Sequence, residues 1–192
     1  MPLARALSEG GMDVLEITMN TPGASELIAQ AKASVGGDLE IGAGTVLSLE
    51  ELDAALGAGA SFIVMPTLAT DVVAECARRG VPVFPGALTP QEIQTAWRAG
   101  AAMVKVFPAK FFGPEYFREV KGPFGDVLLL ACGGVSAENL AAYATCGADA
   151  YAFGGSVFNL AWIEAGQFTK VEAGVRELVD AYRAIVESES TN

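Results

Sequence analysis

The chain has 192 residues, 52% of them hydrophobic, which suits a single barrel-sized domain over 1–192 better than two domains. Its net charge of −11, with no basic stripe, argues against a nucleic-acid partner, and no run approaches the ~20 apolar residues of a membrane span. Three cysteines without a CxxC pair argue against a disulfide framework, and the lack of histidine excludes His-ligated metals and every Ser-His or Cys-His nucleophile.

Proton transfer therefore falls to a carboxylate, lysine, tyrosine, cysteine or water. The opening MPLARALSEGG has one Arg and no long apolar stretch, so no secretion signal is read and a cytoplasmic location is expected. That opening is helix-like. Short apolar runs then alternate with helical segments. The predicted strands are VLEITM (14–19), LEIGAGT (39–45), SFIVMP (61–66), VPVFPG (81–86), MVKVFP (103–108), DVLLLA (126–131) and AYAFGG (150–155). Several begin just after a glycine suited to the left-handed residue past a helix end. Helix starts are expected at Ser48–Glu51 and Thr169–Glu172 as capping boxes, at Pro90 behind Thr89, and at about 137 behind Ser136. The last helix, about 169–187, carries Val171, Val175, Leu178, Tyr182 and Ile185 at helical spacing and is expected to pack on the sheet.

Strands apolar on both faces, alternating with helices about every 20–25 residues, indicate an α/β fold with a parallel sheet of the (β/α)8 TIM-barrel kind. Seven strands are predicted where a barrel has eight, so the usual first strand would lie before Met1.

Two charged residues interrupt the apolar strands. Lys105 alternates with Met103 and Phe107 on one face, which in a barrel is the interior. Desolvation favours a neutral amine, and a neutral amine attacks a carbonyl to form a Schiff base. The plain alternatives are a lysine head reaching solvent at the strand end, or one paired with a carboxylate. Glu16, alternating with Val14 and Thr18, is either that partner or a proton shuttle. In IGAGTVLS, Gly42 and Gly44 allow close backbone approach of a ligand, and Thr45 offers a hydroxyl and an N–H for a carboxylate. The loops ACGGVS and FGGS, with Gly133, Gly134, Gly155 and Ser156, follow the last two strands, where barrels commonly hold a phosphate. Pro66, Thr67, Pro85 and Gly86 end the third and fourth strands, shaping a pocket or simply making turns. The cysteines read as small core residues, and Phe107, Phe111, Phe112 and Phe153 as packing.

The segments LEITMNTP, IGAGTVLS, FIVMPTLATDVV, VPVFPGALTPQEI, MVKVFPAKFFGPEY and CGGVSAENL, in that order over about 3–187, resemble the 2-keto-3-deoxy-6-phosphogluconate and 6-phosphogalactonate aldolases. The resemblance implies a metal-free, cofactor-free class I aldolase assembling as a homotrimer. It implies a Schiff base on Lys105 and proton movement by Glu16. Gly44, Thr45, Asn20, Pro66 and Phe107 would then hold the substrate, and Gly133, Gly134, Gly155 and Ser156 its phosphate. The partners would be a phosphorylated keto-deoxy sugar acid and pyruvate. Two departures stand out: Asn20 occupies the place of an arginine usual in the gluconate type, and Cys132 that of a threonine. They lean towards the galactonate type or a relaxed specificity. The alternatives are a 4-hydroxy-2-oxoglutarate aldolase or oxaloacetate decarboxylase using the same lysine, or an inactive paralogue.

Overall fold

The computed structural model describes residues 2–35, 39–155 and 157–189. Along them run α1 (Pro2–Glu9), β1 (Val14–Thr18), α2 (Ala24–Ser34), β2 (Glu40–Gly44), α3 (Leu49–Gly57), β3 (Ile63–Val64), α4 (Thr70–Arg79), β4 (Val83–Phe84) and β5 (Gly86–Ala87). There follow α5 (Pro90–Arg98), β6 (Val104–Val106), α6 (Pro114–Lys121), β7 (Leu129–Cys132), α7 (Leu140–Thr145), β8 (Ala150–Ala152), α8 (Leu160–Glu164) and α9 (Phe168–Glu189).

Every strand pairing is parallel. β4 and β5 are two halves of one strand, interrupted at Pro85, which has no N–H to donate. Backbone bonds from Ala102 N to Val83 O (2.9 Å) and from Lys105 N to Pro85 O (2.9 Å) carry the neighbouring β6 along both halves. The predicted strands are thus present in order and form a (β/α)8-type barrel wall. Among the described residues, β1 pairs only with β2 and β8 only with β7.

The two faces of the wall differ in chemistry. Ile41, Ala43, Ile63, Met65 and Val83 point outwards into one helix-covered cluster. Val104, Val106, Leu129 and Ala131 do the same in a second. The alternate positions face inwards. There Phe62 and Phe84 meet edge to face with ring centroids 5.9 Å apart. A Cβ on Gly42 would overlap the Phe62 ring, so this glycine makes room for a side chain rather than a ligand.

Helices α1 and α9 pack on each other through Leu7, Val171, Val175 and Leu178, with Leu15 of β1 and Phe153 beyond β8 drawn into the same cluster. The two outer edges of the sheet share this apolar cover. Arg176 ties the helices further by donating to Glu9 O at 2.8 Å. At the base of the wall, Asp149 accepts from Leu129 N (2.7 Å) and pairs with Lys121 (2.7 Å), fixing β7 against β8.

Local signals predicted some helix ends and missed others. Thr89 caps α5 in a full capping box with Glu92, with Pro90 at the first helical position. Ser48 caps α3 by accepting from Glu51 N, while the Glu51 carboxylate turns to Leu47 N. Thr169 lies inside α9, which already begins at Phe168, and Glu172 pairs along the helix with Arg176 at 2.8 Å. Ser136 opens a turn and α7 starts later, at Leu140. α9 packs chiefly on α1, α7 and α8 and reaches the sheet through Tyr182, half-exposed, whose ring meets Tyr151 of β8 with centroids 6.1 Å apart.

A Cβ on Gly86 would collide with the carbonyl of Pro66, whereas one on Gly57, at the end of α3, meets nothing. Gly86→Ala is expected to destabilise the fold by about 1–3 kcal/mol in urea titrations, and Gly57→Ala to stabilise it by about 0.5–1 kcal/mol.

Candidate active site

Lys105 occupies the centre of β6, level with Gly86 on one side and Leu130 on the other. It is the one buried charged residue among those described, with 6% of its surface exposed. Its Nζ lies 5.1 Å from the centre of the Phe107 ring, the next inward residue. Both plain readings of a strand lysine fail here. The head does not run out into solvent. Neither Lys105 nor Glu16 takes part in an ion pair among the described residues.

Glu16 is level with Gly42 in the β1–β2 register, and Gly44 is one inward step nearer the strand ends. The carboxylate leans that way: a Cβ on Gly44 would overlap Glu16 Oε1. The lack of a side chain at Gly44 thus makes room for the Glu16 carboxylate. Thr45, the next residue, has φ 56 and is the one non-glycine residue with positive φ among those described. A β-branched side chain in this region stores backbone strain, a state that concentrates at ligand sites.

Cys132 ends β7 on the same inward face as Leu130. Burial pushes its thiol above the ordinary range, the Lys105 amine pulls it down, and the Glu16 carboxylate pushes it up. Three groups from β1, β6 and β7 thus share one electrostatic neighbourhood inside the barrel. Sequence reasoning took Cys132 for a core residue. Cys76 and Cys146 do sit in the helix-covered clusters, but Cys132 faces the interior. The signal was its position two residues beyond Leu130 on an alternating strand.

Above this layer lie the strand-end loops. Gly133 and Gly134 have φ of 89 and 90. A Cβ on Gly133 would rest 3.4 Å from the Phe107 ring. Asn139, which the sequence reading did not single out, pins this loop by donating to Gly134 O (2.8 Å) and accepting from Ser136 N (2.9 Å). Gly155 faces open space. Pro66 lies half-buried with its carbonyl against Gly86. Asn20 sits exposed in the turn after β1. Ser156 lies outside the described residues. Phe111 and Phe112 do not pack in the core: they are 72% and 56% exposed, and Phe112 stacks on Tyr116. Among the described residues no group of three or more His, Cys, Asp or Glu is placed to hold a metal ion.

A buried lysine without a counter-ion, in an interior that also holds a carboxylate, is the equipment of imine chemistry on a carbonyl substrate. The KDPG and KHG aldolase family model matches residues 1–174. The chain belongs to this family. A 2-dehydro-3-deoxy-phosphogluconate aldolase of Treponema pallidum is 39% identical over 90% of this chain and 82% of its own length. A 2-dehydro-3-deoxy-6-phosphogalactonate aldolase of Escherichia coli is 34% identical over 95% of this chain and 87% of its own. A KDPG aldolase structure from Legionella pneumophila, with pyruvate captured as a covalent carbinolamine, superposes with a TM-score of 0.84. It is 25% identical, over 92% of this chain and 86% of that one. The chain is an aldolase with a TIM-barrel fold. No helix among the described residues is long and apolar enough to cross a membrane.

Two outcomes are expected from this geometry. Gly44→Ala displaces the Glu16 carboxylate and should lower aldol cleavage about a hundredfold while the far-UV circular dichroism stays native. Because burial raises the Cys132 thiol, its alkylation by iodoacetamide, followed by peptide mass spectrometry, should rise with pH later than that of a free thiol.

Proposed function

We propose that the chain cleaves 2-keto-3-deoxy-6-phospho sugar acids of the gluconate or galactonate type to pyruvate and glyceraldehyde 3-phosphate. The observation that carries this reading is the burial of Lys105 without a counter-ion, inside a barrel that also holds Glu16. The Lys105 amine attacks the C2 carbonyl, and the carbinolamine loses water to give the iminium. Loss of the C4 hydroxyl proton then breaks the C3–C4 bond. The bonding electrons move into an enamine, and the C4 fragment leaves as the aldehyde. Protonation at C3 and hydrolysis release pyruvate and regenerate the amine. Each step balances with water and protons alone.

In this reading Glu16, on the opposite side of the interior, takes and returns protons directly or through water. Gly44 and Thr45 hold the carboxylate of the pyruvyl half. Pro66 and Phe107 form walls, and Asn20 stands at the rim. Gly133, Gly134, Gly155 and Ser156 receive the phosphate through backbone N–H groups and a hydroxyl. The chain acts as one domain over 1–192, in the cytoplasm, as a homotrimer, with no metal or cofactor. Family resemblance supports the trimer. Curated relatives named for either sugar epimer support both substrate types.

Borohydride trapping with pyruvate, read by peptide mass spectrometry, is expected to leave the adduct on Lys105. Its absence from well-folded protein would overturn the imine route. Glu16→Gln is expected to slow turnover by about two to three orders of magnitude while the Lys105 adduct still forms. Unimpaired turnover in that variant would remove Glu16 from the proton path.

A further inference from the structure

We propose that Lys110 is a specificity-determining residue that selects the phosphorylated aldehyde by placing its ammonium group beside the Gly133–Gly134 loop. The inference rests on the phosphorylated-substrate reading above and adds to it the cation that reading lacks.

A phosphate monoester carries about −1.5 to −2 charges near neutral pH. It must approach a chain of net charge −11, whose overall field repels it. Seven stretches follow the barrel strands: 19–23, 45–48, 65–69, 88–89, 107–113, 133–139 and 153–159. Of the chain's 12 lysines and arginines, Lys110 alone falls within them. Several others are engaged elsewhere: Arg79 with Asp53 and Glu75, Arg118 with Glu115, Lys121 with Asp149, and Arg176 with Glu172.

The position of Lys110 is fixed at its root, while its tip is exposed and lies over the Phe111 ring. It sits in the short 3-10 turn Ala109–Phe111, which follows the strand of Lys105. Its N–H donates to Gly133 O at 3.0 Å. Its stem lies along Gly134, where a Cβ would come within 2.6 Å of Lys110 Cβ and 3.3 Å of Lys110 Cδ. A side chain at Gly134 would therefore push the lysine off the loop. The ammonium group, 5.3 Å from the centre of the exposed Phe111 ring, takes part in no ion pair among the described residues. A lysine acts on a phosphate as a mobile point charge. The backbone bond to Gly133 and the stem along Gly134 start that point charge at the glycine loop.

The test is the aldol addition of pyruvate to glyceraldehyde 3-phosphate and, separately, to unphosphorylated glyceraldehyde. Lys110→Gln is expected to raise KM for the phosphorylated aldehyde about tenfold and that for glyceraldehyde by less than about twofold, with kcat nearly kept. Lys110→Arg should recover most of the loss, and added salt should raise the wild-type KM towards that of Lys110→Gln. Equal KM changes for both aldehydes, or none for the phosphorylated one, would overturn the role of Lys110. If the wild type itself fails to distinguish the two aldehydes, the phosphorylated-substrate reading falls and this inference falls with it. If the wild type distinguishes them and Lys110→Gln does so equally well, only Lys110 is removed.

Discussion

A lysine kept out of water without a counter-ion is the constraint around which the rest of this barrel is arranged. Burying an ammonium group is expensive unless a partner or an aromatic face offsets part of the loss. Here the Phe107 ring stands near Lys105 Nζ, and no carboxylate pairs with it. The helix-facing side of the wall supplies the compensating stability through Val104, Val106, Leu129 and Ala131, all nearly without solvent contact. One face of each strand holds the molecule together, which leaves the other free to carry chemistry.

The same division explains the glycines. Gly42 gives way to Phe62, Gly44 to the Glu16 carboxylate, and Gly86 to the Pro66 carbonyl. In each case the bulk removed from one strand is used by its neighbour. The interior behaves as a fitted set in which the missing side chains are as specific as those present. Thr45, directly after Gly44, keeps a left-handed conformation that a β-branched residue rarely adopts.

Much of this could be read in the sequence because parallel strands announce themselves as short apolar runs, and a Lys or Glu inside such a run has few explanations. Lys105 and Glu16 stood out for that reason. Thr89 was readable too, since its cap is made by residues three positions apart. What escaped depends on neighbours distant in the chain. Thr169 and Glu172 spell a capping box, but α9 already begins at Phe168, and Glu172 pairs with Arg176 one turn on. The room that Gly44 leaves for the Glu16 carboxylate could not be read, because Glu16 lies 28 positions earlier in the chain. Composition alone made Cys132 a core residue, whereas the resemblance set it in the place of a threonine, and the register of β6 and β7 puts it on the inward face. Phe111 and Phe112 passed for packing because apolar composition does not say which loop a residue ends in.

The unequal bonding of the strands bears on how the two central side chains respond to thermal loosening. Lys105 is on β6, hydrogen-bonded on both flanks, whereas Glu16 is on β1, which pairs only with β2 among the described residues. Outer strands fray at lower free energy than inner ones. Amide exchange should therefore run faster along Val14–Thr18 than along Val104–Val106. On warming, the carboxylate would lose its alignment while the amine still stood in place. The barrel would then wear out asymmetrically, the edge that carries Glu16 softening before the strand that carries Lys105.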